Sequence, residues 1–157
     1  MSFTSIPSFS LESIKRSDLK TIKDLTVALS THGFFTITEH GISDEILTSS
    51  YAKSKQFFDL PTNKKNKYSH PEMAGARGYT PFGKETAMGE TVPDLKEFWH
   101  HGPEVNESFD SRISPNISVD EISDFNKEFD QLFKALNALG EEELRAIALI
   151  LAKDKNF

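Results

Sequence analysis

Residues 31–42 read THGFFTITEHGI, where aromatic and β-branched residues lie between two His-Gly pairs. Such residues favour a β-strand, and the glycine beside each histidine favours a turn at either end. Upstream, apolar residues recur at helical spacing, at Leu19, Ile22, Leu25, Ala28 and Leu29. We therefore predict a helix followed by a short strand, with His32 at the helix end and His40 at the strand end. Histidines in such places are expected to have structural roles.

Three helices are predicted, each from a capping residue and an apolar stripe. Ser17 is the expected N-cap of the first helix and Ser43 of the second, since a serine hydroxyl can accept from the free amides of a first turn. The segment Ser118–Glu121 matches the capping-box pattern. Apolar residues at intervals of three and four follow it, so we predict a long amphipathic helix over 116–153.

The middle of the chain reads as strand and turn. Residues 75–89 carry four glycines and favour an irregular strand or hairpin edge, and DLKEFWHHG at 94–102 favours a second strand. The fold class is thus α/β (α+β), with a helix and strand part over 1–115 and the long helix after it. The predicted strands are too few to cover the helices, so the sheet is expected to be unfinished within residues 1–157.

Composition excludes several functional classes. The net charge of −6 argues against a general partner for nucleic acid or anionic membranes. The absence of cysteine removes disulfides and thiolate chemistry, and no apolar run is long enough for a membrane span. We expect a cytoplasmic protein. One basic cluster is expected to be a solvated helix end and loop: Lys53, Lys55, Lys64, Lys65 and Lys67.

Motifs for independent chemistry are sparse. A non-haem iron site requires two histidines and one carboxylate on one face of the metal, and no H-x-D occurs in the sequence. An alternative metal site would combine His70 and Glu72 with His100 or His101, although Pro71 is poorly suited to a ligand-bearing strand. No G-x-S-x-G elbow and no phosphate-binding G-x-x-x-x-G-K-[ST] loop is present.

The order of several segments carries more information than any one of them. GFF-x-I-x-x-HGI at 33–42 is followed by FFDLP, RGYTPFGKE, DLKEFWHHG and a helix ending ALILAKDKNF. This order resembles the N-terminal region of the Fe(II)/2-oxoglutarate-dependent dioxygenases of the isopenicillin N synthase type. The resemblance implies helices and short strands that flank a double-stranded β-helix, or jelly roll, most of which would lie beyond residue 157.

The resemblance also implies a function. Complete enzymes of this family use Fe(II) and 2-oxoglutarate to oxidise a small organic substrate, and their H-x-D…H iron ligands lie on the jelly roll. This chain is expected to bind neither cofactor alone, to have no catalytic residue and to be inactive without the jelly-roll domain. The alternative is a non-catalytic module that pairs with another chain through uncovered apolar surface.

Two residues of the RGY segment are candidates for substrate binding. In the family this strand runs near the substrate pocket, so Arg77 is expected to pair with a substrate carboxylate through its guanidinium fork. Tyr79 is expected to line an apolar wall and to donate one hydrogen bond. The competing interpretation is a surface arginine and a core tyrosine.

Overall fold

Short strands alternate with helices along the chain, and the computed structural model describes residues 5–106 and 111–151. The elements, in chain order, are β1 (Ser8–Ser10), α1 (Leu11–Arg16), α2 (Leu19–His32), β2 (Thr36–Thr38), α3 (Asp44–Phe58), α4 (Thr62–Lys65), β3 (Gly78–Thr80), β4 (Phe98–His100) and α5 (Phe125–Ile150). Two 3₁₀ turns, Asn66–Tyr68 and Pro71–Met73, lie between α4 and β3. This mixture of helices and short strands is the predicted fold class.

The strands form two separate pairs. β1 and β2 are parallel, with Phe9 opposite Ile37, and β3 and β4 are antiparallel, with Tyr79 opposite Trp99. The strand predicted between the two His-Gly pairs covers only Thr36–Thr38. Both pairs are too short to enclose a core by themselves, so helices supply most of the buried apolar surface.

Two of the three predicted helix caps differ from the structure, and the first is Ser17. The N-cap of α2 is Asp18, whose carboxylate accepts from the Thr21 amide at 2.9 Å. Ser17 instead ends α1 in the left-handed conformation, and its main-chain amide donates to the carbonyl oxygens of Ser13 and Ile14. The prediction for Ser43 is confirmed, since its hydroxyl accepts from the Ile46 amide at 3.3 Å.

The second difference concerns the start of α5, which is Phe125 and not the predicted capping box. Glu121 does not return to the amide of Ser118, because its carboxylate is taken by the Tyr68 hydroxyl and by Lys67. Asp124 adopts a φ of +58° just before the helix, which α-helical backbone cannot continue through. The helix ends at Ile150, and the predicted end at 153 lies outside the described residues.

The chain divides into two compact units, of residues 1–42 with 135–157 and of residues 43–134. In the first, Ile14, Leu25 and Ala146 form the buried core. In the second, the core is largely aromatic and consists of Phe57, Tyr68, Tyr79, Val119, Ile122 and Phe125. The division falls within α5, which therefore contributes residues to both units.

Gly140 lies in the interior of α5, and the helix continues through it without interruption. A Cβ at this position would meet no atom within 4 Å. We therefore expect Gly140→Ala to raise the free energy of unfolding by about 0.5–1 kcal/mol, since alanine loses less backbone entropy in a helix. Urea unfolding followed by far-UV circular dichroism measures this. A destabilised variant would contradict the prediction.

Candidate functional site

A cavity of about 420 Å³ lies beside β3 and β4, and we call it the Arg77 pocket. Both residues singled out by the RGY segment, Arg77 and Tyr79, line it. Phe98 of β4 adds an aromatic wall, and Lys84 lies in the loop that follows β3. The volume is in the range of small-molecule sites. The structure thus brings the two predicted substrate-binding residues to one concave surface.

Gly78 determines how β3 reaches this position. Its φ of +76° belongs to the left-handed region, and a Cβ there would lie 2.5 Å from the main-chain oxygen of Tyr68. A side chain is therefore excluded by both backbone conformation and space. The glycine of the RGY segment lets β3 pass against the turn at Asn66–Tyr68 and so fixes its neighbours Arg77 and Tyr79.

Arg77 is half-buried, and its hydrogen-bonding capacity is only partly used. Its Nη1 donates to the carbonyl oxygen of Ala76 at 2.5 Å. Its buried Nε has no hydrogen-bond partner within the described residues. Gly102 leaves space for the guanidinium, since a Cβ there would collide with the Nη2 atom. The arginine is thus held in place beside the pocket without a carboxylate partner in the part of the chain that the structure describes.

Tyr79 is only 3% exposed, and its hydroxyl donates to the Glu97 carboxylate. Burial, together with the hydrogen bond to Glu97 and the charge of that residue, raises the pKa of Tyr79 above its usual value. The Tyr79 hydroxyl therefore uses its hydrogen for the bond to Glu97. Only the aromatic ring of Tyr79 is available to contact a ligand in the pocket.

Lys65 is buried, contrary to the prediction that the whole basic cluster is solvated. Its Nζ donates to both Glu97 carboxylate oxygens, at 2.7 and 2.9 Å, and to the carbonyl oxygen of Phe58 at 3.1 Å. We call Lys65, Glu97 and Tyr79 the Lys65 triad. No local pattern marks it, because Glu97 is 32 residues away from Lys65 along the sequence.

The Lys65 triad makes stability depend on pH. Burial alone would raise the pKa of Glu97, but the hydrogen bonds from Lys65 and Tyr79 and the lysine charge outweigh it, so this pKa is lowered from 4.5. Because the pKa of Glu97 is lower in the folded than in the unfolded state, the ionised carboxylate stabilises the fold at pH values above its unfolded-state pKa. This stabilisation is lost as the pH falls through the folded-state pKa.

We therefore expect the free energy of unfolding to fall less between pH 7 and pH 3 in Glu97→Gln than in the wild type, because glutamine does not titrate. Urea unfolding at each pH provides the comparison, and Glu45→Gln, at an exposed position of α3, is the control. An equal pH dependence in Glu97→Gln and the wild type would contradict the prediction.

His70 and Glu72 of the alternative metal site lie within hydrogen-bond distance of each other, but in the described part of the chain neither His100 nor His101 joins them as a third ligand. His70 Nδ1 lies 2.9 Å from Glu72 Oε1, His100 Nδ1 donates to the carbonyl oxygen of Gly75, and His101 Nε2 lies 2.7 Å from Asp130 Oδ1. Across 5–106 and 111–151, no three His, Asp or Glu side chains are grouped as a metal site would require. The described residues thus do not provide the donor set that Fe(II) prefers.

The remaining histidines agree with structural roles. His40 Nδ1 accepts from the main-chain amide of Ile42 at 3.1 Å and so stabilises the turn after β2. His32 is the last residue of α2, and Gly33 ends that helix with a φ of +78°. No described helix has the length and apolarity needed to cross a membrane.

A family model described as "non-haem dioxygenase in morphine synthesis N-terminal" matches residues 6–121. The chain belongs to the Fe(II)/2-oxoglutarate-dependent dioxygenase family, as the sequence resemblance predicted.

Individual relatives support the same family. The chain is 30% identical to the 2-oxoglutarate-dependent dioxygenase caaD of Aspergillus niger, over 82% of this chain and 41% of that protein. It is 34% identical to proline hydroxylase buaE of Petromyces alliaceus, over 81% of this chain and 40% of that protein. The chain thus spans about two fifths of the length of these curated relatives.

Solved structures show the same relationship. A 2OG-Fe(II) oxygenase family protein from Caulobacter crescentus superposes with a TM-score of 0.81 at 29% identity, over 99% of this chain and 51% of that one. A full-length Neurospora crassa protein in complex with alpha-KG gives a TM-score of 0.76 at 26% identity, over 97% of this chain and 49% of that one. The fold described above therefore corresponds to about half the length of each of these two chains.

Proposed function

We propose that this chain is the N-terminal portion of an Fe(II)/2-oxoglutarate-dependent oxygenase that oxidises a small organic substrate. The family match over residues 6–121 is the observation that carries this proposal. In the complete enzyme, a jelly-roll domain that includes an H-x-D and a later histidine would hold Fe(II) and 2-oxoglutarate. Residues 1–157 alone would then be inactive. The cytoplasmic location and the absence of nucleic-acid and membrane partners stay predictions.

The contribution of this chain would be one wall of the substrate site. Arg77 offers guanidinium donors that lack a carboxylate partner among the described residues, and Tyr79 offers its ring. The Lys65 triad would hold that ring in place, because the Glu97 carboxylate accepts a hydrogen bond from the Tyr79 hydroxyl. Binding and orientation of substrate are therefore the proposed roles of Arg77 and Tyr79, while oxidation would require the iron.

Oxygen consumption tests this function. The 157-residue chain and a version extended through any coding sequence downstream of codon 157 are each mixed with Fe(II) and 2-oxoglutarate. Oxygen uptake and succinate are then measured. We expect succinate only from the extended version, and only if the added residues contain an H-x-D and a later histidine. Stoichiometric ferrous ion and succinate production with residues 1–157 alone would contradict the proposal.

A second candidate is a non-catalytic module that pairs with another chain. Exposed leucines on α5 favour it, since Leu136 is 49% exposed and Leu144 is 65% exposed. Exposed apolar surface of this kind is typical of interaction sites. This candidate predicts concentration-dependent association in sedimentation velocity, which Leu144→Glu would weaken, and no oxygen uptake in any extended version.

A further inference from the structure

The charges that line the Arg77 pocket are unequally partnered. Among its described lining residues the cations Arg77 and Lys84 form no ion pair with a carboxylate, whereas the single acidic residue, Glu85, is paired. A concave site with two unpaired cations and one neutralised carboxylate has an excess of positive charge. Such an excess attracts an anionic ligand and disfavours a cationic one.

Lys96 is the partner of Glu85. Its Nζ lies 2.5 Å from Glu85 Oε2 and 3.2 Å from Asp94 Oδ2. The same loop is closed by main-chain hydrogen bonds, since the Asp94 amide donates to the Glu85 carbonyl oxygen at 2.8 Å. Both salt-bridge partners are about half exposed, so the pair adds little to stability. In this structure the Glu85 carboxylate therefore pairs with Lys96 and, among the described residues, forms no ion pair with Arg77 or Lys84.

The apolar part of the pocket limits the shape of a ligand. Phe98 and the ring of Tyr79 form aromatic walls, and Pro71 and Pro81 add rigid apolar surface. The volume of about 420 Å³ is large enough to accept one compact apolar group of a ligand. Arg77 lines the pocket and has no carboxylate partner among the described residues, and a guanidinium binds a carboxylate in bidentate geometry.

We propose that the Arg77 pocket binds a small monocarboxylate with an aromatic or alicyclic body, that Arg77 and Lys84 bind its carboxylate, and that Lys96 is a positioning residue that keeps Glu85 from competing. This inference rests on the proposal that the pocket receives the substrate, and it adds the class of substrate. Lys84 and Lys96 thereby become determinants of specificity that the RGY motif does not include.

Binding to the 157-residue chain tests the proposal without iron. Benzoate is the probe and benzamide is its neutral isostere, and each is titrated into ¹⁵N-labelled protein by NMR. We expect benzoate to shift amides of 69–85 and to bind about tenfold more tightly than benzamide, as the loss of one charged hydrogen bond implies. Arg77→Gln and Lys84→Gln should each weaken benzoate binding severalfold. Lys64→Gln, at an exposed position of α4, is the matched control.

The role of Lys96 has its own test. Lys96→Gln frees the Glu85 carboxylate and should weaken benzoate binding, and the double variant Lys96→Gln/Glu85→Gln should restore it. A merely structural lysine would not be rescued by removing a neighbouring charge. Equal affinity for benzoate and benzamide, no detectable benzoate binding, an unchanged Lys84→Gln or a failed rescue would each overturn the proposal. Absence of oxygen uptake in an extended version would leave these binding results unaffected.

Discussion

Lys65→Met should lower the free energy of unfolding by about 3 kcal/mol, because it leaves the Glu97 carboxylate poorly solvated and without its cation. The Lys65 side chain is 8% exposed and that of Glu97 is 15% exposed, so water replaces the lost partner only in part. Urea unfolding measures the change, and the fluorescence of Trp99, the single tryptophan, reports it beside the mutated site. Lys64→Met is the control, since this neighbour is exposed on the same helix.

A second variant separates lost charge pairing from lost packing. The double variant Lys65→Met/Glu97→Gln removes the unpaired carboxylate charge of residue 97. Glutamine there can still accept a hydrogen bond from the Tyr79 hydroxyl. We expect the double variant to be more stable than Lys65→Met alone, because breaking a buried pair costs more than replacing it. A loss below about 0.5 kcal/mol in Lys65→Met, the size of an ordinary surface change, would show that this lysine is not structurally important.

Phe57→Ala should cost about 3–5 kcal/mol, which is the range for removing a fully buried phenylalanine. Phe57 is 0% exposed, and its ring lies 4.8 Å from that of Trp99, 5.6 Å from Tyr79 and 5.7 Å from Phe125, between centroids. No single neighbour can fill the space, because these rings come from different elements and are fixed by their own contacts. The cavity term should therefore be large.

The measurement for Phe57→Ala is thermal and urea unfolding, with near-UV circular dichroism to record whether the remaining rings keep a unique arrangement. Tyr51→Ala is the matched control, since it removes an aromatic ring from the same helix at a position that is 77% exposed. We expect a change within about 0.5 kcal/mol for the control. Equal losses in the two variants would mean that the aromatic cluster is not the core of this unit.

Local signals in the sequence predicted those features that depend on neighbours along the chain. Ser43 caps α3 through an amide three residues away, and Gly33 ends α2 through its own backbone conformation. The capping box at 118–121 failed because a competing partner, Tyr68, lies 53 residues from Glu121. A pattern of four consecutive residues contains no information about such a distant partner. It therefore predicts that α5 begins earlier than Phe125, where the helix begins in the structure.

Of the candidate site, only the residues that belong to the RGY motif could be predicted from the sequence. The RGY segment indicated Arg77 and Tyr79, and the structure places both at one pocket. The buried state of Lys65 and the ion pair of Lys96 with Glu85 depend on how loops fold back, which no periodicity encodes. The prediction of a solvated basic cluster was therefore wrong at Lys65, where a long-range carboxylate stabilises the buried lysine.

The division of α5 between two units affects the order in which this protein can fold. Residues 43–134 are continuous in sequence, so their unit can close as soon as they leave the ribosome. The other core joins Ile14 and Leu25 to Ala146, and its formation costs the entropy of closing a loop that spans most of the chain. During synthesis Leu25 of α2 can therefore be buried in this core only after the second half of α5 has been made.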